Sequence, residues 1–180
     1  PNNQQFSKAN LLFLSKLNGT VHFLAIPDFI LEFPFASKVF AAGKFEAQEK
    51  NRSDLLVWMD HDSLIFNEPK TLLLPTEKFF GYRPVDHKLI GSSWNQPPDN
   101  FWNTIYDLFD LSHERLFPIR TTVDNQQIRP YFNAGMLVVR PQAGLLQTWS
   151  DKFLNNFQKE ELSFYYDIDF LYKIFIHQVI

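Results

Sequence analysis

The chain contains no cysteine, so disulfides and thiolate chemistry are excluded outright. No apolar run approaches the roughly 20 residues that cross a bilayer, and neither a secretory leader nor a transit sequence is visible at the start. Together these lead to the expectation of a cytoplasmic protein without a membrane span. Charge of one sign is also scarce. The net charge of −3 leaves no electrostatic footprint for nucleic acid or an anionic membrane surface. No heptad or internal repeat is present, so the oligomeric state stays open. What the chain has is apolar mass: 45% hydrophobic and 17% aromatic residues, 20 of them phenylalanine. That composition excludes disorder, and 180 residues suffice for one domain with a sizeable core.

The most informative stretch is residues 55–66, LLVWMDHDSLIF. Its first five residues are all apolar, too few for a helix, and read as a fully buried strand. The strand runs into Asp60-His61-Asp62, two carboxylates one residue apart. The carboxyl end of a buried strand is where open α/β sheets bind ligands. Two ionised carboxylates there need compensation, and a divalent cation with hard oxygen ligands, Mg²⁺ or Mn²⁺, supplies it and can in turn hold a diphosphate. The bland alternative is a solvated strand end, since acid-x-acid triplets are common and a second stands at Asp167-Ile168-Asp169. In strand alternation His61 points away from both aspartates and reads as packing.

Around this stretch the chain alternates helix and strand. Residues 11–17 read as the end of a helix stopped at Asn18-Gly19, and 21–26 as a short strand ended by Pro27-Asp28. Residues 36–48 have good helix formers with apolar Val39, Phe40 and Ala42 on helical spacing. Helix, charged turn and buried strand form one βαβ-type repeat, which predicts a parallel α/β sheet. Residues 68–76 read as a short helix or turn, and 79–84 as a short strand. From 85 to 130 prolines, asparagines and tryptophans interrupt any period, with helical pieces near 101–109 and 112–116. That segment is expected to be an irregular insertion that supplies acceptor contacts or simply packs.

Residues 131–140, YFNAGMLVVR, form a second strand. Asn133-Ala134-Gly135 places an amide and a Cβ-free residue at its start, where a backbone can approach a ligand closely; a strand-start bulge is the alternative. Residues 145–157 are an amphipathic helix with Leu146, Trp149 and Phe153 on one face. Asp167 opens a further apolar segment, 170–176, as a helix cap or as a functional carboxylate.

Taken in order, four patches resemble the glycogenin-like retaining glycosyltransferases, over residues 33–178. Phe35-Ala36-Ser37-Lys38-Val39 looks like the family's helix-opening segment, 55–66 like the strand bearing its DxD motif, 131–140 like its F-N-[SA]-G strand, and 167–175 like its D-Q-x-x-L-N segment. The resemblance implies a single GT-A domain, a mixed and mostly parallel sheet flanked by helices. It implies that Asp60 and Asp62 bind Mn²⁺ or Mg²⁺ and the nucleotide, that Lys38 neutralises phosphate or touches the sugar, that Asn133, Ala134 and Gly135 line the donor pocket, and that Asp167 and Asp169 stand at the reacting centre. The expected donor is a UDP-sugar, the acceptor an unspecified glycan, lipid or protein. The chemistry fits: metal and lysine stabilise a departing diphosphate, and a carboxylate favours an oxocarbenium-like transition state. Three departures stand out, the first being that the family's base-gripping first strand normally lies further upstream than these N-terminal residues allow. Ile168 occupies the family's glutamine position, and His177 comes too early to be its third metal ligand. They imply a domain incomplete at both ends, or a non-catalytic nucleotide-sugar or glycan-binding module. A metal phosphoesterase would need a second set of ligands, for which the sequence offers no recognisable candidates.

Overall fold

The structure, a computed structural model, describes residues 7–17, 19–31, 36–88 and 92–157. Asp167 and Asp169, with Ile168 and His177, lie outside the described residues.

Strand β5 (Phe132–Val139) is the centre of the sheet. On one side it pairs with β1 (Leu56–Met59), with Leu56 opposite Val139 and Met59 opposite Met136. On the other it pairs with β2 (Phe80–Pro84), with Phe80 again opposite Val139. Both pairings are antiparallel. The parallel arrangement expected from the helix–turn–strand repeat is therefore not found among the described residues. The reason is topological. β1 and β2 run in the same direction, but β5 lies between them, so no two parallel strands are neighbours. Pairing with β2 is regular from Phe80 to Tyr82, then shifts so that Arg83 lies opposite Asn133. The shift leaves Ala134, Gly135 and Met136 without partners on that side, a bulge of the kind that re-aims side chains near a site.

Two helices complete the core. In α3 (Ala36–Glu49), preceded by α1 (Lys8–Ser15) and α2 (Asp28–Leu31), the buried residues Ala36, Val39, Ala42, Gly43 and Glu46 form one stripe, as helical periodicity demands. In α5 (Leu145–Phe157), Leu146, Trp149 and Phe153 are buried, the face expected from the sequence. The two helices approach closely at Gly43. A Cβ there would come within 2.6 Å of the Ser150 Cβ and 3.0 Å of the Leu146 carbonyl oxygen. These helices share one core with Leu56, Trp58, Leu137, Val139, Phe80 and Tyr82 of the sheet.

Three expectations are corrected. Residues 21–26 are not a strand. They run along the surface instead, Phe23 exposed and the His22 ring meeting Phe45 of α3 edge-on at 4.9 Å; an apolar run alone does not supply a ladder partner. Residues 64–66 do not continue β1 but are exposed, Phe66 at 84%. Residues 85–130 are less an appended insertion than part of the core. Helix α4 (Asn100–Leu108), N-capped by the Asp99 carboxylate accepting from the Trp102 amide at 3.0 Å, buries Trp102, Ile105 and Tyr106, followed by Phe109. The hairpin of β3 (Ile119–Arg120) and β4 (Gln127–Ile128) adds Ile119 and Ile128. The Thr122 amide then donates to the Val85 carbonyl at 3.2 Å, joining this unit to the end of β2.

Candidate functional site

The site is built where β1 leaves the sheet. Its ladder with β5 extends one residue past Met59, the Asp60 amide donating to the Gly135 carbonyl at 2.9 Å. There the chain folds back, the Ser63 amide donating to the Asp60 carbonyl at 3.0 Å. Aspartate is favoured at the first position of such a turn, so Asp60-His61-Asp62 is a corner rather than a strand. His61 and Asp62 are consequently both exposed, and the strand alternation expected for His61 does not arise.

Asp60 continues the face of β1 that carries Trp58. Its carboxylate meets the Lys38 ammonium at 2.6 Å and 2.7 Å, one distance to each oxygen, and the Trp58 Nε1–H lies 3.4 Å from Oδ1. Lys38 belongs to the first turn of α3, whose apolar stripe fixes the helix on the sheet and so aims the lysine at the strand end. Both charged side chains keep some access to water, 15% for Lys38 and 28% for Asp60. Lysine thus supplies the compensation for which the sequence reading called on a cation, while Asp62 is solvated.

From β5, Gly135 faces the same carboxylate. A Cβ on Gly135 would stand 3.0 Å from Asp60 Oδ2 and 3.0 Å from Asn133 Oδ1, so the bare backbone is what lets these groups meet. The Gly135 amide donates to Asn133 Oδ1 at 2.8 Å, which fixes the Asn133 side chain beside Asp60. Lys38, Asp60, Asn133 and Gly135 therefore converge. Ala134, between them on the strand, is buried in the core, and any ligand contact it makes comes from its backbone.

Two residues that the sequence reading passed over flank the group. Trp58, two residues before Asp60, shares its face, and that spacing was the available signal. Arg83, opposite Asn133 across the bulge, is held by Asp86 at 2.9 Å. The Asp86 carboxyl lies below its ordinary pKa chiefly because the Thr122 hydroxyl donates to it, with Arg83 adding its charge. Nothing in sequence spacing connects Arg83 to Asn133.

As a metal site the corner is sparse. Among the described residues no group of three or more His, Cys, Asp or Glu could hold an ion. A divalent cation held by Asp60 and Asp62 would have to draw Asp60 away from Lys38 and take its other ligands from phosphate oxygens and water, as Mg²⁺ commonly does.

A family model described as a Rhodobacterales glycosyltransferase domain matches residues 1–167. No curated protein and no solved structure matches the chain. No helix among the described residues is long and apolar enough to cross a membrane.

Proposed function

Since the chain belongs to the Rhodobacterales glycosyltransferase domain family, we propose that it moves a sugar from a nucleotide-diphosphate donor, a UDP-sugar foremost, to a glycan, lipid or protein acceptor, with the donor at the Asp60 corner. The observation that carries this reading is the convergence of Lys38, Asp60, Asn133 and Gly135 at one strand end. A nucleotide sugar reacts by breaking the bond between its anomeric carbon and the diphosphate oxygen, which keeps the electron pair. Charge therefore grows on the diphosphate, and a positioned cation is most useful there. Lys38 is that cation. It exchanges Asp60 for a phosphate oxygen when the donor binds, its partial exposure making the exchange feasible. Asn133, with Oδ1 engaged by the Gly135 amide, has its Nδ2 hydrogens available for sugar hydroxyls.

Asp60, released from Lys38, and Asp62 would then hold Mn²⁺ or Mg²⁺ against the diphosphate. The ion, when bound, supplies further neutralisation of the leaving charge. On the strength of the family resemblance, Asp167 and Asp169 are assigned to the reacting carbon, with retention of configuration.

The test is thermal unfolding with UDP, with and without Mn²⁺, followed by turnover of a panel of nucleotide sugars. UDP is expected to stabilise the chain in a Mn²⁺-dependent way that Asp62→Ala removes. An unchanged stabilisation in Asp62→Ala would overturn the metal assignment. The sparse carboxylate set favours one second reading, a nucleotide-sugar-binding module without turnover; transfer or hydrolysis of any nucleotide sugar eliminates it.

A further inference from the structure

Away from the Asp60 corner, the segment that follows β4 buries a positive charge. Arg129 is 4% exposed. Its amide donates to the Ser92 carbonyl at 2.7 Å, one terminal nitrogen donates to the Gln96 carbonyl, and its guanidinium carbon lies 5.9 Å from the centre of the Trp102 ring. Among the described residues its Nε–H has no hydrogen-bond acceptor, and the buried hydroxyl of Tyr106 has none for its own proton. These two groups lie together: Tyr106 packs on Trp102 with ring centres 5.8 Å apart, and the Arg129 guanidinium acts on the Tyr106 phenol through its charge and a side-chain hydrogen bond, partly offsetting the upward push of burial on its pKa.

Arginine stays protonated in proteins, and a buried charge without a counter-charge is costly. Among the described residues no carboxylate lies within ion-pair distance of Arg129. Asp99, whose charge is felt at Tyr106, is exposed and engaged in capping α4. A buried positive charge, with an N–H and a phenol proton that meet no acceptor among the described residues, calls for an anion.

We infer that Arg129 and Tyr106 form an anion site that accepts a single carboxylate group, the Arg129 Nε–H and the Tyr106 hydroxyl each donating to it over the Trp102 ring. The charge count selects the class of ligand. One guanidinium and one neutral hydroxyl balance a monoanion, whereas a phosphate group carries about 1.5 to 2 negative charges near neutral pH and would need a second cation. Guanidinium geometry also suits a planar carboxylate. This inference does not rest on the transferase reading, and its readout is stability rather than turnover.

The experiment follows thermal unfolding of the full chain in sodium formate, acetate, chloride and phosphate at matched ionic strength. Formate and acetate are expected to raise the midpoint by several degrees over chloride with a saturating concentration dependence. Arg129→Met should lose that dependence, and Tyr106→Phe should need several-fold more carboxylate for the same rise. If the four salts act alike, or if Arg129→Met keeps the carboxylate response, the site binds an adventitious ion only or is filled by water, and the inference fails. It fails equally if phosphate outperforms both carboxylates. Should Arg129→Met not fold, Tyr106→Phe decides: an unshifted carboxylate response in that variant overturns the assignment.

Discussion

The two ends of α3 each hold an acidic group from a different environment. At the N-terminal end Lys38 grips Asp60, a carboxylate with 28% of its side chain open to water. Near the C-terminal end Glu46 is fully buried, and its Oε2 accepts from the Gln147 amide at 2.8 Å, in the first turn of α5. One acid has a side-chain partner that the proposed donor would displace; the other has a backbone partner that cannot move without moving a helix. The Lys38–Asp60 pair is partly buried yet open to water on one side, so a phosphate oxygen can compete for the lysine as nothing can compete for the amide at Glu46. The difference separates a site from a structural joint on a single helix.

The contrast is most sharply broken by Lys38→Met. If Lys38 stabilises the departing diphosphate, its loss should lower turnover by roughly 10²-fold or more, the scale seen when one preorganised donor is removed. The unfolding midpoint should fall modestly, because Asp60 loses its counter-charge but keeps partial access to water, and by far less than the drop in turnover would require if both had one cause. A variant that loses stability in step with activity would mean that the lysine is structural, like Glu46. The matching change at the other end is Gly43→Ala. Its new Cβ meets Ser150 Cβ at 2.6 Å and the Leu146 carbonyl at 3.0 Å, and such overpacking costs about 1 to 3 kcal/mol. Denaturant unfolding measures it. Nucleotide binding by the folded fraction should stay near that of the parent chain.

A third change tests the corner from β5. Gly135→Ala puts a methyl group 3.0 Å from both Asp60 Oδ2 and Asn133 Oδ1. Both neighbours are side-chain tips, which can shift more easily than backbone. The expected stability cost is therefore smaller than at Gly43, with UDP affinity weakened because the carboxylate and amide are pushed apart. Calorimetric titration of UDP into the two glycine variants gives the comparison directly. Equal losses of affinity in Gly43→Ala and Gly135→Ala would remove the distinction between the two ends.

How much of this was legible in the sequence depended on how local each feature is. The spans of α3 and α5 were readable because their buried residues recur at helical spacing, and β5 because its apolar run follows Asn133-Ala134-Gly135. The corner at Asp60 was marked by its two carboxylates, but its partner was misjudged. Lys38 lies 22 residues earlier, and spacing carries no information on which charge a carboxylate meets. Strand direction was lost for the same reason, since β1 and β5 pair across a long stretch of intervening chain. The helix near 101–109 was legible because Trp102, Ile105, Tyr106 and Phe109 recur at helical spacing, but the prolines and asparagines around it gave no sign that it packs into the core. Glu46 could have been found: it lies in register with Val39 and Gly43 on the apolar stripe, an acidic residue on the wrong face of its helix.

That misplaced acid gives the smallest predicted effect. Burial raises the Glu46 pKa above its ordinary value, against the opposing pull of the Gln147, Leu145 and Leu146 amides and the charge of Lys50. A carboxyl whose pKa is higher folded than unfolded binds more protons in the native state between those two values. Stability then falls as pH rises, starting near the ordinary value of 4.5 and ending once pH passes the raised native value. Asp86 and Asp124 act in the opposite sense, their native pKa values being lowered from 3.8, so their contribution is lost only as pH falls below that range. The windows therefore separate, and the decline above pH 4.5 belongs to Glu46 among these three. Glu46→Gln keeps an oxygen for the Gln147 amide but cannot ionise. Its unfolding free energy, followed by urea titration from pH 4.5 to 8, should vary less than that of the parent chain, with the variant gaining most at the alkaline end. An unaltered slope would show that backbone amides at the start of α5 already stabilise the ionised form as well as water does, making the joint at Glu46 indifferent to its charge.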